Sequence, residues 1–110
     1  MKNMTEMLKG LLEGIILQII AKGETYGYEI TNQLVKMGFK DIAEGTVYTV
    51  LLRLEKQKIL NVERRKSQKG PMRKFYTLNA AGQATLDDFW QRWHFLKNKM
   101  TEIEENNNEN

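Results

Sequence analysis

The sequence predicts a mainly α fold with one small β-hairpin and a long C-terminal helix. Three observations predict it. Apolar residues recur at helical spacing through the first half of the chain, the period changes from 3.6 to 2 around the only proline, and a seven-residue repeat fills the last third. With 110 residues the chain can build one modest core.

The first helix is expected from about Thr5 to Ala21. Leu8, Leu11, Leu12, Ile15, Ile16, Ile19 and Ile20 cover more than one stripe of it, so it should be buried on two sides. Lys22-Gly23 supplies a basic last turn and a glycine cap. A second helix starts near Tyr26, with Tyr26, Ile30, Leu34 and Met37 on one face and Gly38 at its end. Gly27 in its first turn permits close backbone approach.

The third helix, from about Glu44 to Gln57, has an apolar side of Val47, Val50, Leu51 and Leu54. Tyr48, Thr49, Leu52, Arg53 and Lys56 decorate the other side. Thr46 sits near its N-terminus, where free N–H groups and the helix dipole favour an anion such as phosphate. Ala43 stands at the N-cap, where Ser, Asn or Asp would be better by about 1 kcal/mol.

"ILNVERR" and "RKFYTL" then alternate as strands, joined through Gly70-Pro71. An isolated hairpin is marginal, so this one must pack on the helices. Asn79 is a good N-cap for the last helix. Leu86, Trp93 and Met100 interleave with Phe89, Leu96 and Ile103 as a heptad pattern, the spacing of a helix that packs along another. The most economical partner is a second copy, giving a two-fold homodimer. Leu12 and Ile16 of the first helix and Leu86, Phe89, Trp93, Leu96 and Met100 of the last are the candidate dimer interface.

Composition excludes several functions. There is no cysteine and a single histidine, His94, which removes disulfides, thiolate chemistry and the usual zinc sites. No Gly-rich phosphate loop, nucleophile–base pair or acid pair is recognisable, so the chain is not expected to be an enzyme or to carry a cofactor or metal. The most apolar stretch, "LLEGIILQII", is too short to span a bilayer and has no cleavage site after it, which points to a cytoplasmic protein with no membrane partner.

The net charge of +3 says little, but its distribution says more. The last ten residues carry four glutamates and no basic residue, so residues 1–100 hold 17 basic residues against ten acidic ones. Arg64, Arg65, Lys66, Lys69, Arg73 and Lys74 all fall in or beside the hairpin.

Two helices, a decorated helix, a basic hairpin and a long heptad helix together describe a winged helix-turn-helix. In that arrangement the third helix enters the major groove of DNA and the hairpin wing holds the backbone or minor groove. The winged-helix domain is expected over 1–78, a C-terminal dimerisation helix over 79–105 and a disordered tail over 106–110. The rival is a winged helix that serves only as a protein-interaction module, for which six cations around one hairpin have no use.

"YGYEI" at Tyr26–Ile30, "GTVYTVLLRLE" at Gly45–Glu55, "GPMRKFYTL" at Gly70–Leu78 and Gly82 in the last helix resemble the PadR family of bacterial transcriptional regulators. The resemblance covers nearly the whole chain. It implies a homodimer on an inverted-repeat operator in double-stranded DNA, usually repressing neighbouring genes. It makes Thr46, Tyr48 and Arg53 DNA contacts, beside Thr49 and Lys56 of the same face, and Lys69, Arg73 and Lys74 wing contacts. The sequence departs from the family at Leu52, where a polar or basic residue is common, and at Ala43. The short C-terminus resembles the smaller subgroup, some members of which stack a planar hydrophobic effector on a tryptophan between protomers. Trp93 occupies the matching place; its other reading is ordinary interface core.

Overall fold

The computed structural model describes residues 4–66 and 70–109, the last three of these as helix backbone only. The elements run α1 (Met4–Leu8), α2 (Leu12–Ala21), α3 (Gly27–Lys36), α4 (Glu44–Lys56), β1 (Leu60–Lys66), β2 (Met72–Leu78) and α5 (Ala80–Glu109).

The first helix expected from the sequence is two. At Lys9–Leu11 the backbone tightens: the Lys9 N–H donates to the Glu6 carbonyl at 3.4 Å and the Leu11 N–H to the Leu8 carbonyl at 2.8 Å. Gly10, a poor helix residue with nothing to pack, sits in the middle of that turn.

α2 is the centre of the molecule. Ile16, Leu17, Ile19 and Ile20 are enclosed together with Ile30 and Leu34 of α3, Val47, Leu51 and Leu54 of α4, Tyr76 of β2 and Leu86 of α5. The broad apolar girth of this helix is therefore covered within the chain. Ile16 is 0% exposed, Leu12 6% and Leu86 3%, which corrects their assignment to a dimer seam: they have almost no surface left for a second copy. Because α2 packs on α5, the first turns of α5 share the core of residues before 79. Met37, expected on the inner face of the second helix, caps that helix instead and is exposed.

Both α3 and α4 end in the same hydrogen-bonded motif. The Phe39 N–H donates to the Leu34 carbonyl (2.9 Å) and the Gly38 N–H to that of Val35 (3.0 Å); after α4, Ile59 bonds Leu54 (3.5 Å) and Lys58 bonds Glu55 (2.9 Å). The motif needs a left-handed residue. Gly38 supplies it at φ 103°, and Lys58 at φ 59°.

β1 and β2 pair antiparallel from Leu60↔Leu78 to Lys66↔Met72. A third, one-residue strand escaped the alternation signal: Thr25 and Tyr76 exchange backbone hydrogen bonds of 3.2 and 2.8 Å, tying the start of α3 to the wing.

Asn79 caps α5 as expected, its Oδ1 accepting from the Gly82 N–H at 2.8 Å while its Nδ2 donates to the Lys58 carbonyl at 2.8 Å. A side chain on Gly82 would run into the Ile59 carbonyl, so α5 can start this close to β1 only with glycine there. α5 continues to Glu109, through residues 106–109.

Candidate nucleic-acid interface

α3, the turn from Met37 to Ala43 and α4 form a helix-turn-helix, and burial fixes how α4 is rotated. With Val47, Val50, Leu51 and Leu54 facing the core, Gly45, Thr49, Leu52 and Lys56 are the outermost residues. Tyr48 and Glu55 turn towards the wing. Arg53 turns towards α2, and Thr46 lies on the same side of the helix.

Ala43 is extended (φ −71°, ψ 148°) and makes no side-chain cap. Its carbonyl accepts from Thr46 and Val47 N–H groups at 3.0 and 3.3 Å, leaving the first turn of α4 without a side-chain acceptor. Thr46 is exposed beside it, and Glu44 in the same turn offsets part of the positive end.

The decorated residues differ in how free they are. The Thr49 hydroxyl donates to the Gly45 carbonyl at 2.9 Å. Arg53 Nη2 donates to Glu13 Oε2 of α2 at 3.3 Å, so it must leave a carboxylate to meet a phosphate or base. The Tyr48 ring lies against α3: a Cβ on Gly27 would come within 2.5 Å of it. Partial burial raises the Tyr48 phenol pKa, and the neighbouring Glu44 carboxylate pushes the same way. Among the described residues Lys56 enters no ion pair.

The wing places like charges opposite one another, Arg64↔Lys74 and Arg65↔Arg73. Such pairs repel, and neighbouring carboxylates relieve them. Lys74 Nζ donates to Glu55 of α4 at 3.1 and 3.3 Å. Arg65 pairs with Glu24 and, at 3.5 Å, with Glu63; the Glu24 hydrogen bond raises its pKa further. The Arg65 guanidinium lies 3.9 Å from the Phe75 ring, Phe75 meets Tyr26 edge-on at 5.4 Å, and Arg73 lies 4.4 Å over Tyr26. Arg73 and Lys74 thus belong to the wing's attachment as well as to its charge. Lys69 lies outside the described residues. Between wing and α4 runs a cleft of about 420 Å³ lined by Tyr48, Leu52, Pro71, Met72, Arg73 and Lys74.

Sequence reasoning missed Arg65 as a distinct wing residue and the carboxylates Glu13, Glu24 and Glu55 that hold the cations. Their pairings span 19 to 41 positions of sequence, and no local pattern announces them.

A second surface lies on α5. Leu96, Met100 and Ile103 are exposed at 46, 55 and 61%. Phe89 is half-buried and packs on α2 at Gly14. Trp90 donates its Nε1–H to Gln18 Oε1 at 2.8 Å. Trp93, half-buried, borders an apolar depression of about 250 Å³ with Leu11, Ile15, Phe39, Phe89 and Trp90. Among the described residues no group of side chains is arranged to hold a metal, and no helix is long and apolar enough to cross a membrane.

Comparison with known proteins agrees with this geometry. The family described as "Transcriptional regulator PadR-like family" matches residues 16–88. A crystal structure of a PadR-like transcriptional regulator from Bacillus cereus is similar, with 40% identity, coverage of 89% of this chain and 95% of the other, and a TM-score of 0.78. A Streptococcus transcriptional regulator is 39% identical, covering 90% of this chain and 97% of its own at a TM-score of 0.80. An uncharacterized protein of Lysinibacillus sphaericus is 31% identical over 96 residues, 84% of this chain and 87% of that protein.

Proposed function

The chain belongs to the PadR-like family of transcriptional regulators, and on that premise we propose that it acts as a homodimeric, sequence-specific repressor on an inverted-repeat operator. The observation that carries the proposal is the outward face of α4 beside a cationic wing, two elements that a protein adaptor does not need together. α4 enters the major groove, with Thr46, Tyr48, Thr49, Arg53 and Lys56 as its contact set. Arg73, Lys74 and Lys69 of the wing, joined by Arg65, hold phosphates and fix register.

The copies meet along α5 through Phe89, Trp93, Leu96 and Met100; Leu96 and Met100, with Ile103 beyond them, leave apolar surface open along the helix. A two-fold dimer sets two copies of α4 against half-sites about one helical turn apart. The apolar depression beside Trp93 supports a planar hydrophobic effector stacking there; it relieves repression by binding one dimer geometry better than the other.

The test is selection of duplexes from a randomised library with purified protein, followed by native mass and a salt titration. An enriched inverted repeat, a dimer-plus-duplex mass and log K falling by roughly 0.9 per log salt for each neutralised phosphate are expected. Absence of both enrichment and low-salt retention overturns the reading.

A further inference from the structure

We propose that the outermost strip of α4, formed by Gly45, Thr49 and Leu52, reads thymine C5-methyl groups, so that operator specificity is carried in part by apolar rather than hydrogen-bonded contacts. The inference rests on the DNA-binding reading above and goes beyond it by naming the chemical group recognised.

Four observations point the same way. Leu52 is 53% exposed on the outward face and stands outside the buried core cluster. A lone exposed leucine is ordinary; its neighbours are what matter. Thr49, one turn before it, turns its hydroxyl back to the Gly45 carbonyl at 2.9 Å and so offers its methyl rather than a free hydroxyl. Gly45 completes the strip, and neither packing nor backbone requires glycine there. An added Cβ would meet nothing within 4 Å, and its φ lies outside the left-handed range. Alanine would serve the helix better. A glycine in such a place lowers the helix surface and lets a partner come close.

The strip is flanked by cations: Lys56 and the Glu13-paired Arg53 on α4, and Arg73 and the Glu55-paired Lys74 across the cleft. A partner that fits must be anionic at its edges and present small apolar groups at its centre. On the major-groove edge of duplex DNA the thymine C5-methyl is that apolar group, framed by phosphates.

The decisive measurement compares the library-selected duplex with the same duplex carrying deoxyuridine for every thymidine, which removes only the methyls. Wild-type affinity should fall about fourfold for each contacted methyl, the value of one buried CH₂-sized group. Leu52→Ala, at an exposed position, should remain folded and lose most of the discrimination between the two duplexes. Gly45→Ala should melt at a higher temperature yet bind the thymidine duplex more weakly.

Equal wild-type affinity for both duplexes overturns the proposal and leaves DNA binding itself intact. An equal deoxyuridine penalty in wild type and Leu52→Ala also overturns it, since the methyls would then act through DNA shape. Failure of wild type to bind either duplex is the separate failure of the DNA-binding reading.

Discussion

Lys58 and Gly38 occupy equivalent places after α4 and α3, both left-handed, yet only one is glycine. A Cβ in that conformation costs roughly 1–2 kcal/mol, partly offset by the greater unfolded-state freedom of glycine. Lys58→Gly is expected to stabilise the fold by about 0.5–1 kcal/mol, read as a raised urea midpoint at unchanged m-value. In the proposed DNA binding, Glu13 opposes the charge of Arg53. It holds Arg53 by one 3.3 Å bond, and Glu13→Gln leaves that arginine unneutralised. Affinity for random-sequence DNA should rise severalfold at low salt, with a steeper salt slope. Unchanged affinity would mean that Arg53 stays clear of the duplex. The sequence showed Arg53 on the decorated side of its helix but gave no sign of Glu13 beside it, because 40 residues separate the two.

The wing is the element least able to stand alone. Its two strands carry opposed cations, and it is held by Glu55, Glu24, the Tyr26–Phe75 ring contact and the buried Tyr76. Burial, aided by the Glu55 carboxylate and Tyr48, pushes the Tyr76 phenol up to about 12 from its ordinary 10.0. The raised value means the folded state holds its proton more tightly than the unfolded chain. The associated stability is complete below pH 10 and is lost as pH rises through the folded pKa near 12. Over that window the unfolding free energy should fall by about 2–3 kcal/mol from this group, and Tyr76→Phe should flatten the fall. An identical alkaline slope in the variant would place the titration elsewhere. Periodicity located the strands to within a residue, since alternation is a local property of a half-buried sheet. It missed the one-residue strand at Thr25, which has no alternation to display, and it ran α1 and α2 together because their apolar spacing continues across Gly10.

At the scale of the whole molecule, α5 carries the extended shape, 61 Å in its longest dimension against 20 Å in its shortest. Leu96 is 46% exposed, so a charge there disturbs nothing in the chain's own core. Leu96→Glu should keep a native circular dichroism spectrum while shifting the native mass from dimer to monomer. An unpaired charge buried in a seam is strongly unfavourable. Loss of operator binding should accompany the shift, because two half-sites need a fixed spacing. A folded, dimeric variant would move the seam off this face of α5.

The sequence by itself determined the order and type of the main elements, the inner face of α4, the cap at Asn79 and the gathering of cations at the hairpin. Each of these is written in spacings of a few residues, and hydrophobic periodicity, capping chemistry and charge runs are properties of such short windows. Tertiary structure alone decided which apolar surface stayed open. Leu12, Ile16 and Leu86 looked as available to a partner as Leu96 and Met100, because a helical repeat records that a face is apolar and not what covers it. The fold closed the first three inside one chain and left the other two exposed. It also decided which cations are held: Arg53, Arg65 and Lys74 meet carboxylates that only packing brings within reach, while Lys56 enters no ion pair among the described residues. Charge is local to a residue, but its neutralisation depends on contacts distant in sequence.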